Sequence, residues 1–352
     1  MPRAKILSRL NKGILVLLLL LLSLTLAGCW NRREVSDISI NTALGIDRIV
    51  VEGKPRYLFS VLSLRLTETG GAAPGGTSAV RPGGQGIVIS TEGDTIYDAV
   101  RNYGLRSSRQ LFMSHTLVLV IGEETAAGGI SEIIDFAARH KDLRKRIWVV
   151  VCEGLARDAL QAPSEIERLN AIEVSKIEQN NRSKVGRTVA ADLFQVMYAL
   201  ATPGREAAVA SLKLFVPPET SSPIRQGGKS TSAGGSAGAS AGSGGSEPAP
   251  PAQQKTFVLS GAAVFRGDRL VGRMNEEETQ GMNLITGQAE EGIIPVAFGG
   301  EQKNSSFLFR GLKPDLRPVF AADGSVSFEV RLRARGSCWS RTTRLSKSRK
   351  KN

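Results

Sequence analysis

The chain has 352 residues, enough for two or three domains, and 41% of its residues are hydrophobic. Its net charge of +13 lies at the two ends: residues 1–28 carry four Lys or Arg, residues 331–352 carry nine, neither end has an acidic residue, and residues 29–330 are neutral. A nucleic-acid-binding domain carries its basic patch on the folded part, so that class is excluded, and two His and three Cys leave little material for a metal site or cofactor ligands.

The N-terminus has the pattern of an export signal. Residues 1–12 are basic, and residues 14–26 are apolar except for Ser23 and Thr25. Thirteen positions fall short of the about 20 that span a bilayer but suit the apolar region of a signal peptide. The sequence Leu-Ala-Gly-Cys that ends at Cys29 resembles a bacterial lipobox, in which the chain is cut before an acylated cysteine. We therefore predict a signal peptide over residues 1–28 and lipid attachment at Cys29.

Strands and helices alternate over the next region, residues 29–218. A run of apolar residues at helical spacing (Ile96, Ala99, Val100 and Tyr103) predicts a helix capped by Asp94, and another helix should follow Glu123-Glu124. Further helices are expected from residue 155 and over 189–200 with Thr188 as the cap. The predicted strands at residues 112–121 and 146–151 are joined by the helix after Glu123, and this unit suggests a right-handed parallel crossover. Strands are predicted at residues 38–46, 57–66, 87–90, 112–121, 146–151 and 210–216.

Two segments cannot contribute to a core. Residues 67–86 contain seven Gly and two Pro and are expected to form a long loop, and residues 226–254 consist largely of Gly, Ser, Ala and Pro. The second segment predicts an interdomain linker over residues 219–254. The resulting fold class is α+β, a mixed α/β chain with a larger N-terminal mixed-sheet region and a smaller, incomplete C-terminal α+β domain over residues 255–335.

That second region begins with a strand at residues 257–265, a tight turn and a return strand at Leu270-Val271. Asn275 followed by Glu278 indicates a capping box at the start of a helix that ends near Gly287. Further strands are predicted at residues 306–309 and 325–332.

Four motifs occur in order along the chain. They are Cys29-Trp30-Asn31-Arg32-Arg33-Glu34 followed by Ala43-Leu44-Gly45-Ile46-Asp47; Gly93-Asp94-Thr95-Ile96; residues 130–136 followed by Trp148-Val149-Val150-Val151; and Gly261-Ala262-Ala263-Val264-Phe265 followed by Asn275-Glu276-Glu277-Glu278. Together these motifs resemble the spore germination lipoproteins of the Ger(x)C type. Asn31 stands where the family more often has Asp, and Arg273 where it usually has an aromatic residue.

The resemblance ends at about residue 335, and members of the family normally continue with more helix and strand. Residues 336–352 are basic and without periodicity, so an aberrant end of the chain is expected there. The other interpretation is a natural basic tail that contacts anionic lipid headgroups.

Residues with catalytic or metal-binding chemistry are few. Glu276, Glu277 and Glu278 are adjacent on a helix and point in different directions, so they are expected to be helix-start acids. His115 is expected to be a packed or surface residue and His140 to lie in a charged turn. Gly122 and Gly128-Gly129 lack the pattern of a phosphate-binding loop. No nucleophile with a base is found, so an enzyme is not expected, and a disulfide between Cys152 and Cys338 is left open.

The resemblance implies a non-enzymatic, lipid-anchored subunit of a nutrient germinant receptor. Its implied partners are an A-type and a B-type integral-membrane subunit, on the outer face of the cytoplasmic membrane, which becomes the spore inner membrane. The alternative is a solute-binding lipoprotein of an uptake system, which needs two lobes joined by short hinge strands. A 29-residue Gly/Ser segment suits such a hinge poorly.

Overall fold

A computed structural model describes residues 13–18, 37–64, 86–164, 166–167, 169–184, 186–216, 256–289, 291–296 and 305–340. Cys29 and residues 67–85 and 217–255 lie outside this described part. No helix within the described ranges is long and apolar enough to cross a membrane.

A mixed sheet forms the centre of the molecule. Its strands are β1 (Ile38–Val51), β2 (Lys54–Leu64), β3 (Gly86–Gly93), β4 (Gln110–Phe112), β5 (Val118–Gly122), β6 (Trp148–Cys152), β7 (Ala208–Phe215), β8 (Thr256–Arg266) and β9 (Arg269–Met274). In the described part they are ordered β3-β2-β1-β5-β6-β7-β8-β9, with β4 beside the start of β1. Strands β1, β5, β6 and β7 are parallel, which confirms the predicted parallel crossover between β5 and β6, and the outer strands pair antiparallel.

Helices cover both faces of this sheet. They are α1 (Ile96–Asn102), α2 (Glu123–Gly128), α3 (Ser131–Arg139), α4 (Ala156–Gln161), α5 (Asn170–Lys184) and α6 (Leu193–Ala201). Apolar residues of α1, α2, α3 and α6 pack on one face, and those of α4 and α5 pack on the other. The mixed α/β fold class predicted from the sequence is therefore confirmed.

Several local predictions differ in detail from the structure. Helix α1 is capped by Thr95 rather than Asp94, because the Thr95 hydroxyl accepts from the backbone of Asp98. Helix α6 is capped by Asp192 in a capping box with Gln195, and Thr188 lies upstream. The predicted helix after residue 123 is two helices, because the chain turns at Gly129 with φ of +115°.

The predicted strand at residues 112–121 is likewise interrupted. A 3₁₀ turn over Met113–His115 separates β4 from β5. His115 therefore lies in a turn, where it is exposed, rather than in a strand.

The strand pair β8–β9 belongs to the central sheet. Phe215 at the end of β7 pairs with Thr256 at the start of β8, so residues 216–255 connect neighbouring antiparallel strands. The boundary predicted at residues 219–254 therefore falls within one sheet, and β8 and β9 are not part of a separate second layer. Local sequence could not reveal this, since strand pairing across a long segment is a tertiary property.

A smaller sheet follows helix α7 (Glu276–Thr286). It contains β10 (Glu291–Val296), β11 (Ser305–Phe320) and β12 (Val326–Ser340), in the order β10-β11-β12. The predicted capping box of Asn275 and Glu278 is confirmed, and so is the end of the helix at Gly287, which is left-handed. Strands β11 and β12 are much longer than predicted, and the boundary predicted at residue 335 lies inside β12.

Candidate functional site

The predicted lipid-attachment residue Cys29 lies outside the described residues, so the lipid anchor stays a prediction. Of the signal region, the structure describes only residues 13–18, as an exposed helical stretch.

The Ala-Leu-Gly-Ile-Asp motif places a carboxylate on β1, at the residue that follows the segment paired with β5. Asp47 is fully buried, and its two oxygens accept from the backbone N–H groups of Ala156 and Arg157, at 2.7 and 3.1 Å. These are the first residues of α4, whose own cap residue, Leu155, offers no side-chain cap. Burial raises the pKa of Asp47 to about 6, against the opposing effect of the two hydrogen bonds. Asp47 thus acts as a tertiary helix cap.

Two glycines make this arrangement possible. A Cβ on Gly122 would stand 2.1 Å from Asp47 Oδ1, and one on Gly45 would stand 3.0 Å from the side chain of Leu160 on α4. Gly45 therefore allows α4 to lie close to β1, and Gly122 leaves room for the carboxylate. The motif is explained by packing, without a ligand.

The acidic run at the start of α7 also has a structural role. The carboxylate of Glu278 completes the capping box, and Glu276 accepts from the Ser260 hydroxyl and the Arg187 guanidinium at 3.0 and 3.1 Å. This confirms the prediction of helix-start acids. Within the described part of the chain, no three His, Cys, Asp or Glu side chains are grouped to hold a metal ion.

His140 and Cys152 do not form a catalytic pair in the described part of the chain. His140 ends α3 with its ring 5.6 Å from that of Phe136, and burial lowers its pKa. Cys152 is buried and free, and burial raises the pKa of its thiol. A thiol held protonated in this way is a poor nucleophile. Because Cys152 is free, the disulfide to Cys338 that the sequence left open is not formed.

Arg273 on β9 connects the strands that follow the linker to the rest of the sheet. Its Nε donates to Glu123 Oε1 at 3.0 Å, its Nη1 donates to the Ser211 hydroxyl, and Glu153 lies 3.7 Å away. This ion cluster holds β9 against α2 and the end of β6. Sequence reasoning noted Arg273 only as a departure from the family pattern.

The best candidate for binding is a cleft of about 500 Å³ between the start of β2, the start of α1 and helix α3. One side carries a polar network, in which Arg48 donates from Nε and Nη2 to the Tyr57 hydroxyl at 3.1 and 2.6 Å. The hydroxyl of Tyr57 donates to Glu132. Burial and the hydrogen bond to Glu132 raise the pKa of Tyr57. Sequence reasoning missed this network, because its members come from three different elements.

The lining of the cleft also includes aromatic side chains. Tyr97 is half exposed and meets buried Phe136 edge to face, with ring centroids 5.1 Å apart. The charged side chains around the cleft are in ion pairs: Arg48 with Glu132, Arg56 with Asp94, and Asp135 with Arg139, which lies outside the cleft. An aromatic lining beside paired charges is suited to binding a small polar group with an apolar part, and the network contains no nucleophile–base pair.

A second cavity, of about 710 Å³, lies on the other face of the sheet between β2, β3 and the loop after α4. Its lining is mixed, with apolar side chains such as Leu62 and Leu160 and polar ones such as Asn170. The Asn170 amide donates to three backbone carbonyls of α4 and the residues after it, so it holds the loop in place.

Comparison with known proteins gives consistent matches along the chain. Residues 31–214 match the family model of the spore germination protein N-terminal domain, and residues 260–351 match the spore germination B3/GerAC-like C-terminal model. The second match passes residue 335, where the sequence analysis had placed the end of the resemblance.

Two relatives from Bacillus subtilis (strain 168) are similar in sequence. Spore germination protein KC is 29% identical over 193 residues, which cover 54% of this chain and 46% of that protein. Spore germination protein YndF is 26% identical over 344 residues, covering 90% of this chain and 72% of that protein. The crystal structure of the GerBC protein is similar over 87% of this chain and 75% of that one, with a TM-score of 0.38 and 15% identity.

The first family match alone covers more than half of the chain, and the second follows it in the order that the motifs predicted. The chain therefore belongs to the family of spore germination proteins with GerAC-type N-terminal and C-terminal domains.

Proposed function

We propose that this protein is a non-enzymatic, lipid-anchored subunit of a nutrient germinant receptor. The observation that carries the proposal is the pair of consecutive germination-family matches, preceded in the sequence by Leu-Ala-Gly-Cys. The acyl groups on Cys29 hold the protein on the outer face of the cytoplasmic membrane, which becomes the spore inner membrane. More than one acyl chain gives stable attachment where a single chain is marginal.

The partners in this proposal are an A-type and a B-type integral-membrane subunit. The cleft supports a binding role, because it offers an aromatic side chain beside paired charges. The motif carboxylate, Asp47, has a structural role instead, because it caps a helix. The pairing of β7 with β8 argues against the uptake alternative, since the strands on either side of the Gly/Ser segment belong to one sheet and do not form two lobes around a hinge.

Replacing the predicted acylated cysteine tests the anchor. We expect Cys29→Ala to move the protein out of the membrane fraction after a high-salt wash, and spores with this variant to respond more weakly to a rich medium. Cys152→Ala is the matched control, because Cys152 is buried and free, and it should stay membrane-bound. Retention of the Cys29→Ala protein in the washed membranes would refute the lipid anchor.

The partners are tested separately. The tagged protein, extracted from spore membranes in mild detergent, should copurify with two integral-membrane proteins encoded beside it. An adjacent permease and ATPase that copurify instead would favour uptake and overturn the receptor assignment.

A further inference from the structure

The long hairpin of β11 and β12 has one wholly apolar face over its outer half. Residues directly opposite each other share a face of a sheet. Four such pairs lie between Gly311 and the tip, and each consists of apolar residues: Pro314 with Leu332, Leu316 with Val330, Pro318 with Phe328 and Phe320 with Val326. We call these eight residues the apolar ribbon face.

Helix α7 covers only the root of this face. Pro314 is the point of contact, since a Cβ on Gly287, at the end of α7, would stand 3.0 Å from Pro314 Cγ. Eleven residues of helix extend for about 16 Å, whereas the 16 residues of β11 extend for about 53 Å. Beyond that contact the face is open: Phe320 is 74% exposed and Phe328 is 61% exposed. Exposed apolar surface of this kind marks an interaction site.

The other face of the hairpin is polar. It pairs Lys313 with Arg333, Asp315 with Arg331, Arg317 with Glu329, and Val319 with Ser327. The hairpin is therefore amphipathic, with the period-2 alternation of a strand that is buried on one side only.

All of the excess charge of the chain after residue 28 lies in this region. Residues 305–352 contain twelve Lys or Arg and three Asp or Glu, whereas residues 29–304 contain 30 of each. Beyond residue 28, the apolar ribbon face is thus carried by the strongly basic region of an otherwise neutral chain.

We propose that the apolar ribbon face docks on an anionic lipid surface. Its Leu, Val, Phe and Pro side chains enter the boundary between headgroups and acyl chains, as those of an interfacial amphipathic segment do. The Arg and Lys side chains of the polar face then lie at the level of the phosphate groups, and basic residues near the surface of an anionic membrane add attraction.

Charge favours lipid over a second copy of the chain. Residues 305–352 contain twelve Lys or Arg and three Asp or Glu, so a second copy would bring the same positive excess against this one, whereas an anionic lipid surface attracts it. Binding to a lipid surface also grows with each apolar side chain that enters it.

Vesicle cosedimentation of the unlipidated chain from residue 29 onward tests the proposal without the anchor. We expect it to bind vesicles of phosphatidylglycerol and to bind vesicles of phosphatidylcholine much more weakly. The double variant Phe320→Ser/Phe328→Ser should bind phosphatidylglycerol vesicles about tenfold more weakly, because two exposed apolar anchors are lost.

Val319→Ser is the matched control. Val319 is 48% exposed on the same strand but belongs to the polar face, so this variant should bind as the unchanged protein does. All of these side chains are exposed, and unchanged circular dichroism and melting curves would show that each variant folds.

Equal binding by the double variant and Val319→Ser, or no binding of the unchanged chain to phosphatidylglycerol, would overturn the proposal. Sedimentation velocity adds a further discriminating outcome. A dimer that the double variant abolishes, without vesicle binding, would assign the face to a second copy of the chain and would reject lipid as its partner.

Discussion

Asp47 links two elements that are 109 residues apart in sequence, because its carboxylate accepts from the first N–H groups of α4. We predict that Asp47→Ala lowers the free energy of unfolding by about 2 kcal/mol, since two buried backbone donors lose their partner. Urea denaturation measures this. Asp94→Ala should change the value by less than about 0.5 kcal/mol, because Asp94 is exposed and its ion pair with Arg56 lies at the surface. Similar losses for both variants would contradict the capping role.

Glu178 on α5 predicts an unusual dependence of stability on pH. Its side chain is 1% exposed, neither carboxyl oxygen has a hydrogen-bond partner among the described residues, and burial raises its pKa from 4.5 to about 8. The folded protein therefore keeps this carboxyl protonated at neutral pH, whereas the unfolded chain ionises it. Its contribution to stability is complete below pH 4.5 and is lost as the pH rises towards 8.

Glu178→Gln should remove this loss. At pH 7 we expect the variant to be more stable than the unchanged protein by roughly 3 kcal/mol, with the difference disappearing near pH 4.5. Melting curves over this pH range measure the difference. Glu124→Gln, at an exposed position on α2, is the control and should follow the unchanged protein. If the difference in stability between Glu178→Gln and the unchanged protein stays the same at every pH, Glu178 is not a buried carboxylic acid.

At the scale of elements, those with strong local signals were predicted well. The stripe of Ile96 and Ala99 and the capping box of Asn275 both predicted helices that the structure contains. Helix α5 has only a weak local signal, because its sequence is polar and carries no clear apolar face. Its position depends on a few contacts with the sheet and on Asn170.

The connection between β7 and β8 is an element whose length should matter little. Its ends are already adjacent, since Phe215 pairs with Thr256. Deleting residues 230–246 shortens the loop that must close, so we predict a gain in stability of roughly 0.5 kcal/mol and an unchanged fold. Calorimetry of the deletion variant tests this. A fall in the melting temperature of more than about 5 °C would mean that the deleted residues pack against the protein.

At the scale of the whole molecule, the sheet joins the two parts of the chain that the Gly/Ser segment separates in sequence. The apolar core on one face of the sheet includes Phe257 and Leu259, and the core on the other includes Ala262 and Phe265. Both cores also contain residues from before the segment. The matches to separate N-terminal and C-terminal family models therefore describe sequence regions that share a common core.

Cleaving the chain between β7 and β8 tests whether the two parts share one core. With a specific protease site placed within residues 230–246, we expect cleavage to leave the two pieces associated through the β7–β8 pairing and both cores. They should elute together in native size-exclusion chromatography and separate only in denaturant. A C-terminal piece that elutes by itself under native conditions would show that residues 256–340 form an independent unit.

The sequence by itself determined the signals that are local or compositional. The basic and apolar N-terminus with Cys29 predicted an anchor, the spacing of apolar residues predicted most helices and strands, and the ordered motifs predicted the family. The family was confirmed by comparison, whereas Cys29 lies outside the described residues and its acylation stays a prediction.

Only the tertiary structure decided the role of the motif carboxylate, the pairing of β8 with β7 and the exposure of the apolar ribbon face. Each of these depends on which residues meet across long separations in sequence. In the sequence, Asp47 marks only the polar end of a predicted strand, and the approach of α4 makes it the cap of that helix. The alternation of β12 predicts one buried face, but whether a layer covers that face is a property of the assembled fold, and in the described part α7 ends before reaching most of it.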